Sequence, residues 1–172
     1  MTTDLLKLPQ GDVRLLDTPS AQALLARAIP ARLAYVTSAG EPRIVPTWFH
    51  WDGEAIVMAT WLHGPHIAHP ARRVQSLRER PAVTVSIDTD DQPPVVLQLR
   101  GRAELEEVAG IAEEYRLAAE RYLGADMAAG YLGQFDGVDV GMARIVVRPT
   151  WVSLVDFGTR LPGALGGVQS AP

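Results

Sequence analysis

The sequence predicts a mainly β, α+β domain: a small antiparallel barrel of six to seven strands with flanking helices. Three observations carry this. Short runs rich in β-branched and aromatic residues recur at Leu33–Thr37, Arg43–Trp51, Glu54–Thr60, Val83–Ile87, Val95–Leu105, Met142–Val147 and Trp151–Asp156. Tight turns join neighbouring runs, Ser38-Ala39-Gly40-Glu41 and Asp52-Gly53, the latter a strong hairpin signal. Helical segments separate groups of strands instead of alternating with single ones, which disfavours a doubly wound parallel sheet.

Thr18 followed by Pro19 opens a short Ala- and Leu-rich helix that runs to about Ala28 and stops at Pro30. Residues 1–30 are therefore expected as a helical arm, 31–158 as the barrel and 159–172 as a tail. The run Arg43–Trp51 has apolar groups on both faces: Ile44, Pro46 and Trp48 on one, Val45, Phe49 and Trp51 on the other. A strand of that kind is expected to be covered on both sides. After Gly64-Pro65 a helix is expected over His66–Arg80, with Ile67, Ala71, Val74 and Leu77 near one face, ended by Pro81. Val83, Val85 and Ile87 alternate with polar residues as in a half-buried strand. Val95, Leu97, Leu99, Ala103 and Leu105 form one face of a longer strand, and Gly101 marks a bulge or bend. Helices are expected over Val108–Leu123 and Ala125–Phe135, then two closing strands hinged at Pro149. The tail from Thr159 is rich in Gly, Pro and Ala.

The chain has 172 residues, 47% of them apolar and 21% charged, enough for one domain with a real core. A net charge of −4 disfavours a nucleic-acid partner. Cysteine is absent, which excludes disulfides, Cys-ligated metals and thiol catalysis and matches a reducing compartment. The N-terminus lacks a basic region followed by an apolar run, and no stretch reaches the roughly 18–20 apolar residues that span a bilayer. A cytoplasmic protein without membrane partners is expected.

The sharpest chemical signal is Arg72-Arg73, just after Pro70, where a helix is expected to begin. The first turn of a helix carries partial positive charge and disfavours cations. Two arginines there suit an anion held by helix N–H groups and guanidinium forks, with a phosphate the simplest choice. The alternative is a solvated basic helix. Pro46 inside a strand removes a ladder donor, as at an edge or a ligand-facing site. His63, His66 and His69 are spaced by three residues between prolines and show no HExxH pattern, so they read as loop groups, with a contact to a cofactor or substrate left open. Trp48, Trp51, Trp61 and Trp151 read as core or interface residues. No Gly-x-Ser-x-Gly elbow, phosphate-loop pattern or carboxylate pair is present.

Four strings, RIVPTWFHWDGEAIVMAT, ARRVQSLRERPAVTVSIDT, VLQLRGRAELEEV and MARIVVRPTWVSLVDFGTRLP, resemble in order and spacing the split β-barrel flavin and deazaflavin oxidoreductases, often labelled pyridoxamine-5′-phosphate-oxidase-like, and in particular a branch common in actinobacteria. The resemblance covers about Ala31 to Pro162. It implies a homodimer with cofactor sites at the subunit interface. It places the cofactor phosphate at Arg72 and Arg73, where many members read Ser-Arg-Lys followed by Asn-Leu; here Arg73 stands for the lysine and the Ser and Asn are lost. It further implies that Val45, Pro46, Thr47 and Trp48 line the cofactor ring through backbone groups and that Thr60 lies near the phosphate. Gln98, with Arg100 and Arg102, would face the partner's cofactor or else solvent. Trp48 or Trp61 would be the ring to stack on the cofactor.

The expected function is that of an oxidoreductase holding a deazaflavin coenzyme, or FMN, and passing a hydride to a small conjugated organic molecule, with no protein acid or base assigned. Two alternatives stand beside it: an FMN-dependent oxidase of pyridoxamine-like phosphates, and a non-enzymatic flavin- or haem-related binding protein.

Overall fold

A computed structural model describes residues 5–161. Seven strands form one antiparallel sheet: β1 (Ala31–Val36), β2 (Pro42–Thr47), β3 (Phe49–Trp51), β4 (Ile56–His63), β5 (Ala82–Asp88), β6 (Val95–Ala109) and β7 (Gly141–Asp156). They lie in the order β2-β1-β5-β6-β7-β4-β3. The helices are α1 (Pro19–Ala26), α2 (Arg72–Glu79), α3 (Glu113–Leu123) and α4 (Ala125–Gly133). The tail beyond Leu161 lies outside the described residues.

The two edge strands do not pair with each other, yet one residue, Trp48, joins them. The sheet therefore curls until its edges stand a residue apart, and the barrel is split along the β2–β3 seam. This corrects the single strand expected over Arg43–Trp51. Residues 42–47 pair with β1 and residues 49–51 pair with β4, so the chain must leave one edge and join the other at Trp48. The expected two-sided cover also fails for β2, whose Ile44 is 68% exposed.

The interior holds Leu33, Phe49, Met58, Val85, Leu97, Leu99 and Ile145. The N-terminal segment belongs to the same core, through Leu15, Leu24 and Leu25. Thr18 caps α1 by accepting from the Ala21 N–H at 3.3 Å, and Pro19 occupies the first turn. Gln10 mimics a further strand: its side chain donates to Leu154 O at 2.7 Å and accepts from Leu154 N at 2.9 Å.

β6 and β7 pair from Val95↔Asp156 to Ala109↔Gly141 with one irregularity, where Arg100 faces Trp151 and Gly101 faces Pro149. Thr150 is the extra residue. This bulge corrects the reading of two hinged strands. Val147 and Val152 both point into the core, which an unbroken period of two cannot achieve. Pro149 suits the bulge because it needs no ladder partner for an N–H. Gly101 is required there: a Cβ on it would lie 2.5 Å from Arg148 O.

Two helix boundaries also differ from expectation. α2 begins at Arg72 and not at His66, because Pro70 biases the preceding residue away from helical backbone. Val108 and Ala109 belong to β6, since the ladder to β7 runs on to Gly141 and overrides their helical pattern; α3 starts at Glu113. α3 and α4 then cover the outer face of β3, β4 and β7, packing on Ala59, Trp61 and Met142. Among the described residues, the outer face of β1 and β2 leaves Arg32, Ile44 and Pro46 exposed.

Asp156 ends β7 as a polar staple. Ser20 Oγ and Thr159 Oγ1 each donate to Oδ2 at 2.7 Å, and the Gly158 and Thr159 N–H groups donate to Oδ1. Burial opposes ionisation, but these donors outweigh it and hold the carboxyl below its ordinary 3.8.

Gly101→Ala should destabilise the fold by about 1–3 kcal/mol or more in urea unfolding, whereas Gly130→Ala, in open space on α4, should add up to about 1 kcal/mol. Because its folded pKa is depressed, the contribution of Asp156 is complete above about pH 4 and is lost as pH falls through the folded value. Melting curves of Asp156→Asn and the parent should therefore differ most near neutrality and converge in acid.

Candidate functional site

α2 packs on β6 and β1 at one end of the barrel. Val74 and Leu77 are buried, while Arg72 and Arg73 open the helix. Ala71 at the N-cap provides no side-chain acceptor; the Val74 N–H donates to Ala71 O at 2.9 Å, and the N–H groups of Arg72 and Arg73 keep their capacity for another partner.

Arg73 turns toward β4. Its Nε and Nη2 donate to Thr60 Oγ1 at 3.1 and 2.6 Å, and Thr60 is only 3% exposed. Burial pushes the Arg73 guanidinium below its ordinary pKa. Among the described residues no carboxylate pairs with it. A half-buried cation balanced by one neutral hydroxyl is costly, and an anion at the helix end would offset that cost.

Arg72 is exposed and stands between two cavities. A cleft of about 870 Å³ is bounded by His63, Ile67, His69, Arg72, Arg78 and Glu107. A second space of about 360 Å³ is lined by Tyr35, Ser38, Arg43, Arg72 and Gln75, with Glu41 as the acid on its wall. Arg43 was not singled out by sequence reasoning. The available signal was its place at the head of the RIVPTW string, a basic residue directly after a turn. Arg43 thus shares a cavity with Arg72, while Arg73 turns to Thr60 and lines neither space.

The remaining expected residues lie elsewhere in the single chain. Val45 packs against the core. Thr47 Oγ1 donates to Trp48 O at 3.2 Å. The Trp48 ring is stacked on Tyr122 at 5.1 Å and 5°, so one of its faces is already occupied. Pro46 and Gln98 point to the same outer face, in a row Pro46–Arg32–Ser86–Gln98 across three strand spacings, roughly 14 Å. Pro46 borders a separate cavity of about 350 Å³ flanked by the Arg27–Asp91 and Arg32–Asp88 ion pairs. The structure therefore joins Thr60 to Arg73, sets Arg72 beside them on the exposed side of α2, and leaves Pro46 and Gln98 exposed on the sheet.

The histidines diverge. The His63 ring lies over Gly141, His66 borders a third cavity, and His69 is exposed with Nδ1 3.2 Å from Pro70 O. Among the described residues no three His, Cys, Asp or Glu side chains are grouped to hold a metal, and no helix is long and apolar enough to cross a membrane.

Residues 17–156 match the pyridoxamine 5′-phosphate oxidase family. The chain belongs to that family. No curated protein matches it. Among solved structures, an F420 reductase is similar, with 29% identity and a TM-score of 0.55 over 77% of this chain and 94% of the other. A conserved hypothetical protein of Mycobacterium tuberculosis has 15% identity and a TM-score of 0.56, covering 87% of each chain. General Stress Protein 26 of Bacillus anthracis has 11% identity and a TM-score of 0.54, over 83% of this chain and 95% of the other. The last two show the shared fold alone. Family membership accords with the expected split-barrel architecture and with the four strings that suggested it.

Arg73→Met should cost about 1–3 kcal/mol, because it leaves the buried Thr60 hydroxyl without its partner. Adding Thr60→Val should recover most of that loss, since replacing both members of a polar pair by apolar groups of similar shape is nearly neutral. Urea unfolding of the two variants checks this; equal instability in both would mean that the guanidinium packs the barrel end rather than waiting for an anion.

Proposed function

We propose that the protein binds a flavin-type cofactor by its phosphate at the N-terminus of α2 and serves as an oxidoreductase for a small conjugated organic molecule. The observation that carries this reading is Arg73, a half-buried guanidinium that meets Thr60 and no carboxylate, at a helix end without a cap. Arg72 adjoins Arg73 at the start of the helix, and Arg43 shares a cavity with Arg72. This donor set suits a phosphate monoester or diester. Family membership supports a flavin-type ligand, and the likeness to the F420 reductase favours a deazaflavin over FMN.

When bound, such a group supplies two-electron hydride chemistry. The chain's own residues bind and orient. Arg72 and Arg73 hold the phosphate, and Thr60 fixes the direction of the Arg73 fork. The backbone of Val45, Pro46, Thr47 and Trp48 lines the ring, with one face of the Trp48 side chain anchored on Tyr122. Gln98 acts on the site of a second copy. A homodimer is part of this reading, and its support is the run of exposed Ile44, Pro46 and Gln98 on the outer face that spans β2, β1, β5 and β6.

A side-by-side fluorescence titration of the purified protein with FMN and with the deazaflavin coenzyme tests the proposal. Tighter deazaflavin binding is the expected result, and preferred FMN binding would promote the oxidase alternative. Charge-assisted hydrogen bonds contribute about 1.5–3 kcal/mol each, so Arg73→Ala should weaken the preferred ligand by about 10- to 150-fold. Failure of both ligands to bind would refute the cofactor reading.

A further inference from the structure

A third cavity lies on the far side of Ile67 from the arginines. Its volume is about 170 Å³, and its walls are Trp61, Pro65, His66, Ile67, Tyr131 and Phe135. An apolar cavity of roughly 150 Å³ accommodates benzene, so this one suits a single six-membered ring with little room beyond it. Three of its walls are aromatic and mutually inclined. Trp61 and Phe135 have centroids 4.9 Å apart at 42°, and Tyr131 and Phe135 are 5.6 Å apart at 83°. An inserted ring would meet both faces and edges, the arrangement that aromatic quadrupoles favour.

One polar group stands out in the lining. The Tyr131 hydroxyl is 2.9 Å from that of Tyr115. Burial, followed by the bond to Tyr131, pushes the Tyr115 hydroxyl well above its ordinary pKa, so it stays protonated at any working pH. The Trp61 ring meets the Tyr115 ring edge to face at 5.9 Å and 70°. Either hydroxyl of this pair can donate to the other. Of the two only Tyr131 lines the cavity, so its hydroxyl is the one that a bound molecule meets, and it donates to that molecule when Tyr115 donates to it.

We propose that this cavity is a binding site for one aromatic ring bearing a carbonyl-type acceptor, with the ring held among Trp61, Phe135 and Ile67 and the acceptor taking the Tyr131 proton. The site is independent of the cofactor reading. If both hold, the cavity names the substrate class as aryl carbonyl compounds, entering from the cleft that shares Ile67.

The test uses the protein without added cofactor and two probes of similar shape, acetophenone and ethylbenzene, followed by ligand-observed NMR. Acetophenone should bind and show nuclear Overhauser contacts to the Trp61 and Phe135 rings. Tyr131→Phe should weaken acetophenone by about 3- to 10-fold, the worth of one neutral hydrogen bond, and leave ethylbenzene unchanged. Ile67→Phe, which fills the cavity, should abolish both. Three results would each overturn the proposal: no contact from acetophenone to those rings in the parent protein, undiminished binding to a folded Ile67→Phe, or equal effects of Tyr131→Phe on the two probes. The ring contacts need no variant, so a misfolded mutant does not rescue the idea.

Discussion

The close approach of Gly101 to the carbonyl of Arg148 is the constraint on which the barrel depends. Strands of 15 and 16 residues cannot both curl round a small core and keep one face inward without a device that resets the side-chain period. The Thr150 bulge is that device, and only a residue without a Cβ lets the two backbones meet there. On one side of it Ile145 and Val147 face the interior; on the other Val152 and Leu154 do. β4 hangs on the first half of β7, and β5 on the first half of β6. The other strands follow outward from this pair, β5, β1 and β2 on one side and β4 and β3 on the other.

The candidate site inherits its geometry from that frame. β7 holds β4, and β4 delivers Thr60 to the barrel end. β6 and β1 seat α2, and α2 presents Arg73 to Thr60. Neither side chain comes from a mobile excursion of the chain; both stand on packed elements, which is how a charge can be held half-dehydrated without a counter-ion. Several cations elsewhere are paired with carboxylates, as Arg144 is with Glu106 and Glu114 and Arg148 with Glu104, and the part-buried Arg121 is held by the carbonyls of Leu25 and Phe49. Local rules of charge placement are kept on the surface and broken at α2, the pattern expected where a ligand completes the balance.

Cover is distributed unevenly over the barrel. α3 and α4 shield the outer face of β3, β4 and β7 and build an aromatic cluster around Trp48, Trp61, Tyr115 and Tyr131. The opposite outer face ends at β2, an edge strand whose free side is blunted by Pro42 and Pro46, which have no N–H to offer another strand. Proline at this edge prevents indiscriminate pairing while leaving side chains such as Ile44 available for a specific contact.

Much of this was legible from the chain alone, because it rests on local chemistry. Thr18-Pro19 started α1, Asp52-Gly53 turned β3 into β4, alternation marked β5 and the inward face of β6, and Gly101 announced the bulge. The two arginines at the start of α2 were visible as a violation of helix electrostatics. Partnership across the fold was not visible. Whether Arg43–Trp51 stays one strand depends on which strands it pairs with, and Trp48 is where those partners change. Whether Val108 is helix or strand depends on β7 running alongside it. The bond from Arg73 to Thr60 spans 13 residues and an intervening loop, and the ring of Trp48 was claimed by Tyr122 from a helix more than seventy positions away. Periodicity and turn chemistry are properties of adjacent residues, so the sequence determined the elements and the arginine pair; long-range pairing and burial are properties of the closed packing, so only the tertiary structure decided where the strands end, what Arg73 meets and which faces stay open.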